Sequence, residues 1–169
     1  MTPPRLIIMG VSGCGKSTVG QRLAQRLGVA FLEGDDLHPP RNVALMAAGT
    51  PLTDADRADW LDAIAARLSG LGADEGLVVS CSALKHMYRE RLRAATADVR
   101  FVHLHGDAAL LASRLNQRQG HYMPPTLLAS QLNTLEIPSP DEAALSLDIA
   151  QPADHLVAQI EQQLHLNPA

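Results

Sequence analysis

Gly10-Val11-Ser12-Gly13-Cys14-Gly15-Lys16-Ser17 has the spacing G-x-x-x-x-G-K-[ST] of a phosphate-binding loop. Glycines open backbone conformations closed to other residues, so successive N–H groups can turn inward onto phosphate oxygens. Lys16 supplies a point charge for the terminal phosphates, and the Ser17 hydroxyl is a ligand for Mg²⁺. Gly10, Ser12, Gly13, Cys14, Gly15, Lys16, Ser17 and Thr18 are therefore the candidate phosphate contacts.

The flanking residues fit what such a loop needs. Leu6-Ile7-Ile8-Met9 reads as a short buried strand. Val19, Leu23 and Leu27 recur every four residues on one helix face, and Gly28 suits that helix's C-terminus. A strand in front and a helix behind aim the helix dipole at the bound anion.

Moving a phosphoryl group from the loop to an acceptor needs three further things: a group that engages the acceptor hydroxyl, positive charge on the moving phosphoryl, and exclusion of water. Asp35, just past a second strand at Val29–Leu32, is the candidate for the first, or for holding Mg²⁺ through water. Arg114 and Arg118, four apart and so on one helix face, are the candidates for the second. Gly120 beyond them serves as a hinge, and residues 114–126 read as a closing lid. His38, Arg41, Asn42, Arg57, Ser82, Lys85 and Arg89 supply polar groups near strand ends, where open α/β sheets bind ligands. Trp60 reads as core, and His103 and His105 alternate on a strand without a ligand-like partner.

Pro39-Pro40 opens a short helix closed by Gly49. Thr53 with Asp56 forms a capping box ahead of a helix carrying Trp60, Ile64 and Leu68. Leu77–Cys81, Arg100–His105 and Ala144–Ile149 read as further strands. Helices are expected after Lys85, from Asp107, after Pro124-Pro125 and from about Ala153. This alternation predicts an α/β fold of the P-loop NTPase type: one domain over 1–169, a five-stranded parallel sheet with helices on both faces, and a helical lid.

At 169 residues the chain is long enough for one real core. Aromatics are 3%, so that core is built from Leu, Val, Ile and Ala. A net charge of -4 argues against nucleic acid or a membrane surface as partner. No apolar run approaches a bilayer span, and no signal peptide is evident. Two cysteines, one of them inside the phosphate loop, make no disulfide framework and suit a reducing cytoplasm. The absence of N-K-x-D disfavours a GTPase. The third strand ends in Ser80-Cys81-Ser82 rather than a carboxylate, which favours transfer to a small acceptor over ATP hydrolysis for work.

Several blocks together resemble the gluconokinase family of small P-loop kinases. They are Met9–Ser17; Phe31-Leu32-Glu33-Gly34-Asp35-Asp36-Leu37-His38-Pro39 with Asn42 and Met46; Gly49–Arg57 with Trp60-Leu61; and Cys81-Ser82-Ala83-Leu84-Lys85 with Tyr88-Arg89 and Leu92-Arg93. Arg114-Leu115, Arg118, Gly120-His121-Tyr122-Met123, Ser130-Gln131-Leu132, Thr134-Leu135-Glu136, Pro138 and Leu147-Asp148-Ile149 complete the set. The Gly-Asp-x-x-His-Pro, Cys-Ser-Ala-Leu-Lys and Arg-x-Gly-His blocks are far more specific than the loop. The resemblance implies a nucleoside- or shikimate-kinase-like fold and ATP- and Mg²⁺-dependent phosphorylation of D-gluconate at its 6-hydroxyl. It also implies a homodimer.

On the resemblance, Lys16, Asp35 and Arg118 are the catalytic expectation, with Arg114 beside Arg118. Asp35, His38, Arg41, Lys85 and Arg89 are expected on the acceptor, the last two and Arg41 as unranked candidates for its carboxylate. Departures are small: Cys14 stands where many members have Ser, Glu33 where Asp is common, and Pro124-Pro125 stiffens the lid's far side. Competing expectations are a kinase of shikimate or a nucleoside monophosphate, and a nucleotide-binding protein without turnover.

Overall fold

The computed structural model of the chain describes residues 2–117 and 126–169. Five strands, β1 (Arg5–Met9), β2 (Ala30–Glu33), β3 (Leu77–Ser80), β4 (Val99–His105) and β5 (Leu145–Asp148), form one sheet in the order β2-β3-β1-β4-β5. Every neighbouring pair is parallel. Between them run α1 (Lys16–Leu27), α2 (Pro40–Ala47), α3 (Asp54–Ser69), α4 (His86–Arg93), α5 (Ala108–Gln117), α6 (Thr126–Thr134) and α7 (Ala153–Gln163).

Parallel strands need helical crossovers, so both sheet faces are covered and the central strands read as unbroken apolar runs. β1 shows this directly. Leu6 and Ile8 enter a core shared with Val19, Leu23 and Leu27 of α1 and with Leu156, Val157 and Ile160 of α7. Ile7 and Met9 enter the opposite core, with Trp60, Leu61, Ile64 and Leu68 of α3 and Tyr88 and Leu92 of α4. A third, small cluster of Met46, Leu52 and Leu127 ties α6 to α2 and the loop after it.

Local signals act where expected. Thr53 accepts from the Asp56 N–H and Asp56 accepts from the Thr53 N–H, which caps α3 reciprocally. Gly28 ends α1 at φ 67. Asp35 lies in a 3-10 turn over Gly34–Leu37, straight after β2. Among the described residues no helix is long and apolar enough to cross a membrane.

The chain leaves β1, moves to β2 and β3 on one side, and returns to β4 and β5 on the other. The crevice at such a reversal, beyond the strands' C-terminal ends, is where open α/β sheets hold ligands. The phosphate loop follows β1 and lies there.

Candidate functional site

Loop geometry comes first. Gly15 immediately precedes α1 at φ 93, and a Cβ there would meet nothing within 4 Å. Glycine is required at this position for backbone conformation alone. The left-handed turn at Gly15 opens α1, and a helix N-terminus is the kind of end that binds anions. Lys16 Nζ donates to Val11 O at 3.2 Å, so the ammonium curls back over the loop.

At the end of β2, Glu33 sits in register with Ser80 of β3. Both hydroxyls converge on it: Ser17 Oγ donates to Glu33 Oε2 and Ser80 Oγ to Glu33 Oε1. Gly34 follows because a Cβ there would fall 2.1 Å from Ser80 O. Its carbonyl accepts from Trp60 Nε1 at 2.8 Å, which pins the Asp35 turn to α3.

A cavity of about 250 Å³ opens above these residues. Lys16, Ser17, Glu33, Asp35, His38 and Arg57 all face it. His38 stacks on Trp60 with ring centroids 4.2 Å apart. Burial pushes its imidazole down to about 4, against the pull of Asp35 and with the help of Arg57, so it is neutral. Arg57 donates to Tyr88 Oη at 2.8 Å and lies 5.3 Å from that ring's centroid. Tyr88 Oη in turn donates to Asp54. Gln131 Oε1 accepts from Ser12 N–H at 2.7 Å and couples α6 to the loop. A second cavity of about 380 Å³ lies behind the loop, lined by Cys14, Thr18, Arg114 and Gln151 among others.

The structure thus brings Lys16, Ser17, Asp35 and His38 to one cavity. Three other expected acceptor contacts are not among its lining residues. Arg41 pairs with Asp59 at 2.9 Å, both side chains more than half exposed. Lys85 pairs with Asp54 at 2.8 Å. Arg89 is 0% exposed and fully engaged. It donates to both Glu142 oxygens, at 2.6 and 3.0 Å, and to Ala83 O, Leu84 O and Glu136 O. Ala83 holds φ 46, a strained value for a residue with a Cβ, so Arg89 secures the loop that carries Ser82 and Leu84 to the cavity. Burial works to raise the Glu142 carboxyl, but hydrogen bonds from Arg89, the Ser139 N–H, Arg93 and His86 outweigh it and hold it well below the usual range. Arg114 donates to Ile149 O at 2.6 Å and lines the second cavity, not the first. Arg118, Gly120 and most of the expected lid lie outside the described residues.

Spacing gives no role to Glu33 or Gln131 and leaves Arg57 in a general polar supply. The Glu33–Ser80 contact joins residues 47 positions apart and follows from the pairing of β2 with β3, which spacing does not show. The Gln131 contact spans 119 positions and leaves no local signal.

Two buried imidazoles give the fold a pH dependence. His38 and His103 are both pushed down to about 4, chiefly by burial. The unfolded chain takes up these protons near pH 6.5, the folded one only near 4. Their contribution is therefore complete above about 6.5 and falls as the pH drops. Between pH 6.5 and 5, ahead of the carboxylates, urea unfolding should show stability declining at up to about 2.7 kcal/mol per pH unit. His103→Asn should remove about half of that slope. A flat profile would show that neither ring is held neutral.

Known proteins match this arrangement. A family model described as shikimate kinase matches residues 12–163. A gluconokinase from Gluconobacter oxydans is 51% identical over 146 residues, covering 86% of this chain and 82% of that one. The crystal structure of a gluconokinase from Sinorhizobium meliloti is 44% identical, with a TM-score of 0.84 and 97% of each chain covered. That of an unliganded sugar kinase from a Janibacter species is 39% identical with a TM-score of 0.88, covering 97% of this chain and 95% of that one. Matched along nearly its whole length by these proteins, the chain belongs to the gluconokinase family of shikimate-kinase-like P-loop kinases.

Proposed function

We propose that the protein transfers the γ-phosphoryl group of ATP to the 6-hydroxyl of D-gluconate, in line and without a covalent enzyme intermediate. One observation carries this reading: a single cavity holds the phosphate-loop Lys16, the carboxylate of Asp35 and the guanidinium of Arg57. Those are the groups needed for a phosphate donor, a hydroxyl and an acid on one small molecule. Asp35 accepts the hydroxyl proton as the oxygen attacks phosphorus, and the loop amides with Lys16 take up charge on the phosphates. Arg57, steadied by Tyr88 and Asp54, replaces Arg41, Lys85 and Arg89 as the reader of the gluconate carboxylate.

The donor set at Ser17 and Glu33 is all hard oxygen, which fits Mg²⁺. Ser17 would ligate the ion directly and Glu33 would orient its water shell. Held there, the ion would supply positive charge to the phosphates. Arg114 and Arg118 remain the proposed lid cations, Arg114 from the second cavity on the nucleotide side. Two buried free thiols suit a cytoplasmic setting, and the family resemblance suggests a homodimer, which sedimentation tests.

The decisive experiment measures ADP formation with MgATP and D-gluconate, other aldonates, shikimate and nucleoside monophosphates. A response to D-gluconate is expected. Arg57→Ala should raise its KM by about 30–100-fold, the worth of one charged hydrogen bond, while the KM for ATP holds. A response confined to another acceptor would discard D-gluconate. Tight ATP binding with no turnover would point to a binding protein.

A further inference from the structure

His38 has its ring placed by three contacts, and together they determine which nitrogen carries the proton. Its face lies on Trp60, its Nδ1 is 3.2 Å from Asn42 Nδ2, and its Nε2 is 3.9 Å from Asp35 Oδ1. Asn42 is wholly buried, and its Nδ2 also donates to Asp56 O at 2.8 Å. Turning that amide over would set Oδ1 against the Asp56 carbonyl, two acceptors at hydrogen-bond distance, so Nδ2 is the donor to both. Nδ1 of His38 is therefore an acceptor, and in the neutral ring the proton sits on Nε2. The Nε2–H and Asp35 Oδ1 are too far apart to bond each other directly. Both side chains line the same cavity, where an oxygen to one side of the pair would be about 2.8 Å from each.

Resting on the proposed reaction, we propose that His38, as the Nε2–H tautomer, aims the attacking hydroxyl of the acceptor. A hydroxyl oxygen has four directions. One holds its carbon, its hydrogen points to Asp35, and one lone pair accepts from His38 Nε2–H. The remaining lone pair then faces the γ-phosphorus. The oxygen–phosphorus bond forms as the bond to the bridging oxygen breaks, the electron pair leaves on ADP, and the proton passes to Asp35. The Asn42–His38 bond is what prevents the opposite tautomer, which would present a second acceptor beside Asp35 and repel the lone pair.

Two variants share the loss of the ring on Trp60 and differ only in reach. A Gln amide nitrogen can occupy the place of Nε2, whereas an Asn amide nitrogen sits near Nδ1. His38→Gln should keep kcat within about tenfold of the parent, and His38→Asn should fall about 100-fold below His38→Gln, with the KM for ATP unchanged in both. Equal kcat values for the two, or a loss confined to the ATP KM, would overturn the proposal. Long-range ¹H–¹⁵N correlation spectra of the unmodified protein should show Nδ1 bare and Nε2 protonated at pH 7. The opposite tautomer would overturn it without any turnover being measured. Should D-gluconate be inert, the proposed acceptor fails instead, and the Gln–Asn contrast is read on whichever acceptor of the panel responds.

Discussion

Replacing Lys16 with Ala is expected to lower turnover by at least about 10³-fold while the fold survives. The magnitude follows from what a fixed cation does for a phosphoryl group in flight: positive charge on the transferring group is worth about 10³–10⁵ in rate. The structural cost is small. Among the described residues the Lys16 ammonium hydrogen-bonds Val11 O and makes a longer approach to Cys14 Sγ. The turn that builds the loop depends on Gly15, not on the lysine side chain. A coupled ADP assay with circular dichroism checks both halves. Near-normal turnover in a folded variant would remove Lys16 from the reaction and, with it, the phosphate-loop reading of the cavity.

The second large effect is on stability. Arg89→Met leaves Glu142, whose side chain is 3% exposed, without its bidentate partner, and frees the Ala83, Leu84 and Glu136 carbonyls. Removing one member of a buried pair costs about 3–5 kcal/mol. For a chain of this size that lowers Tm by roughly 10 °C. Glu142→Gln should cost a similar amount, since it strands a guanidinium that is 0% exposed. Replacing both partners by apolar residues should recover part of the loss. Because Ala83 is strained and the loop lines the acceptor cavity, the folded fraction of Arg89→Met should also bind acceptor more weakly, with its ATP affinity retained. A loss below about 1 kcal/mol by calorimetry would show that the loop holds its shape without the pair.

These two arginine and lysine positions illustrate different kinds of legibility. The phosphate loop was readable because its signal is local: the eight consecutive residues Gly10–Ser17 encode the turn and the helix start. Arg89 was not. On spacing it is one more cation on a basic helix, and only packing shows it facing inward onto Glu142, 53 positions away. Arg57 is the converse case. It looks like a surface residue in the first turn of α3, yet Tyr88 of another helix turns it toward the cavity.

The chain's own order of residues determined the alternation of strands and helices, the parallel sheet, the capped start of α3, the phosphate loop and the acidic turn after β2. Each rests on interactions between residues a few positions apart, or on an apolar periodicity that any covered parallel sheet imposes. Tertiary structure alone decided which cations reach the acceptor cavity, that Glu33 joins Ser17 to Ser80, that Gln131 ties α6 to the loop, and which His38 nitrogen carries the proton. Those outcomes depend on contacts spanning from 14 to 119 positions, where a long side chain's direction is set by the burial and partners it finds. Sequence spacing carries no information about those partners until the sheet has brought them together.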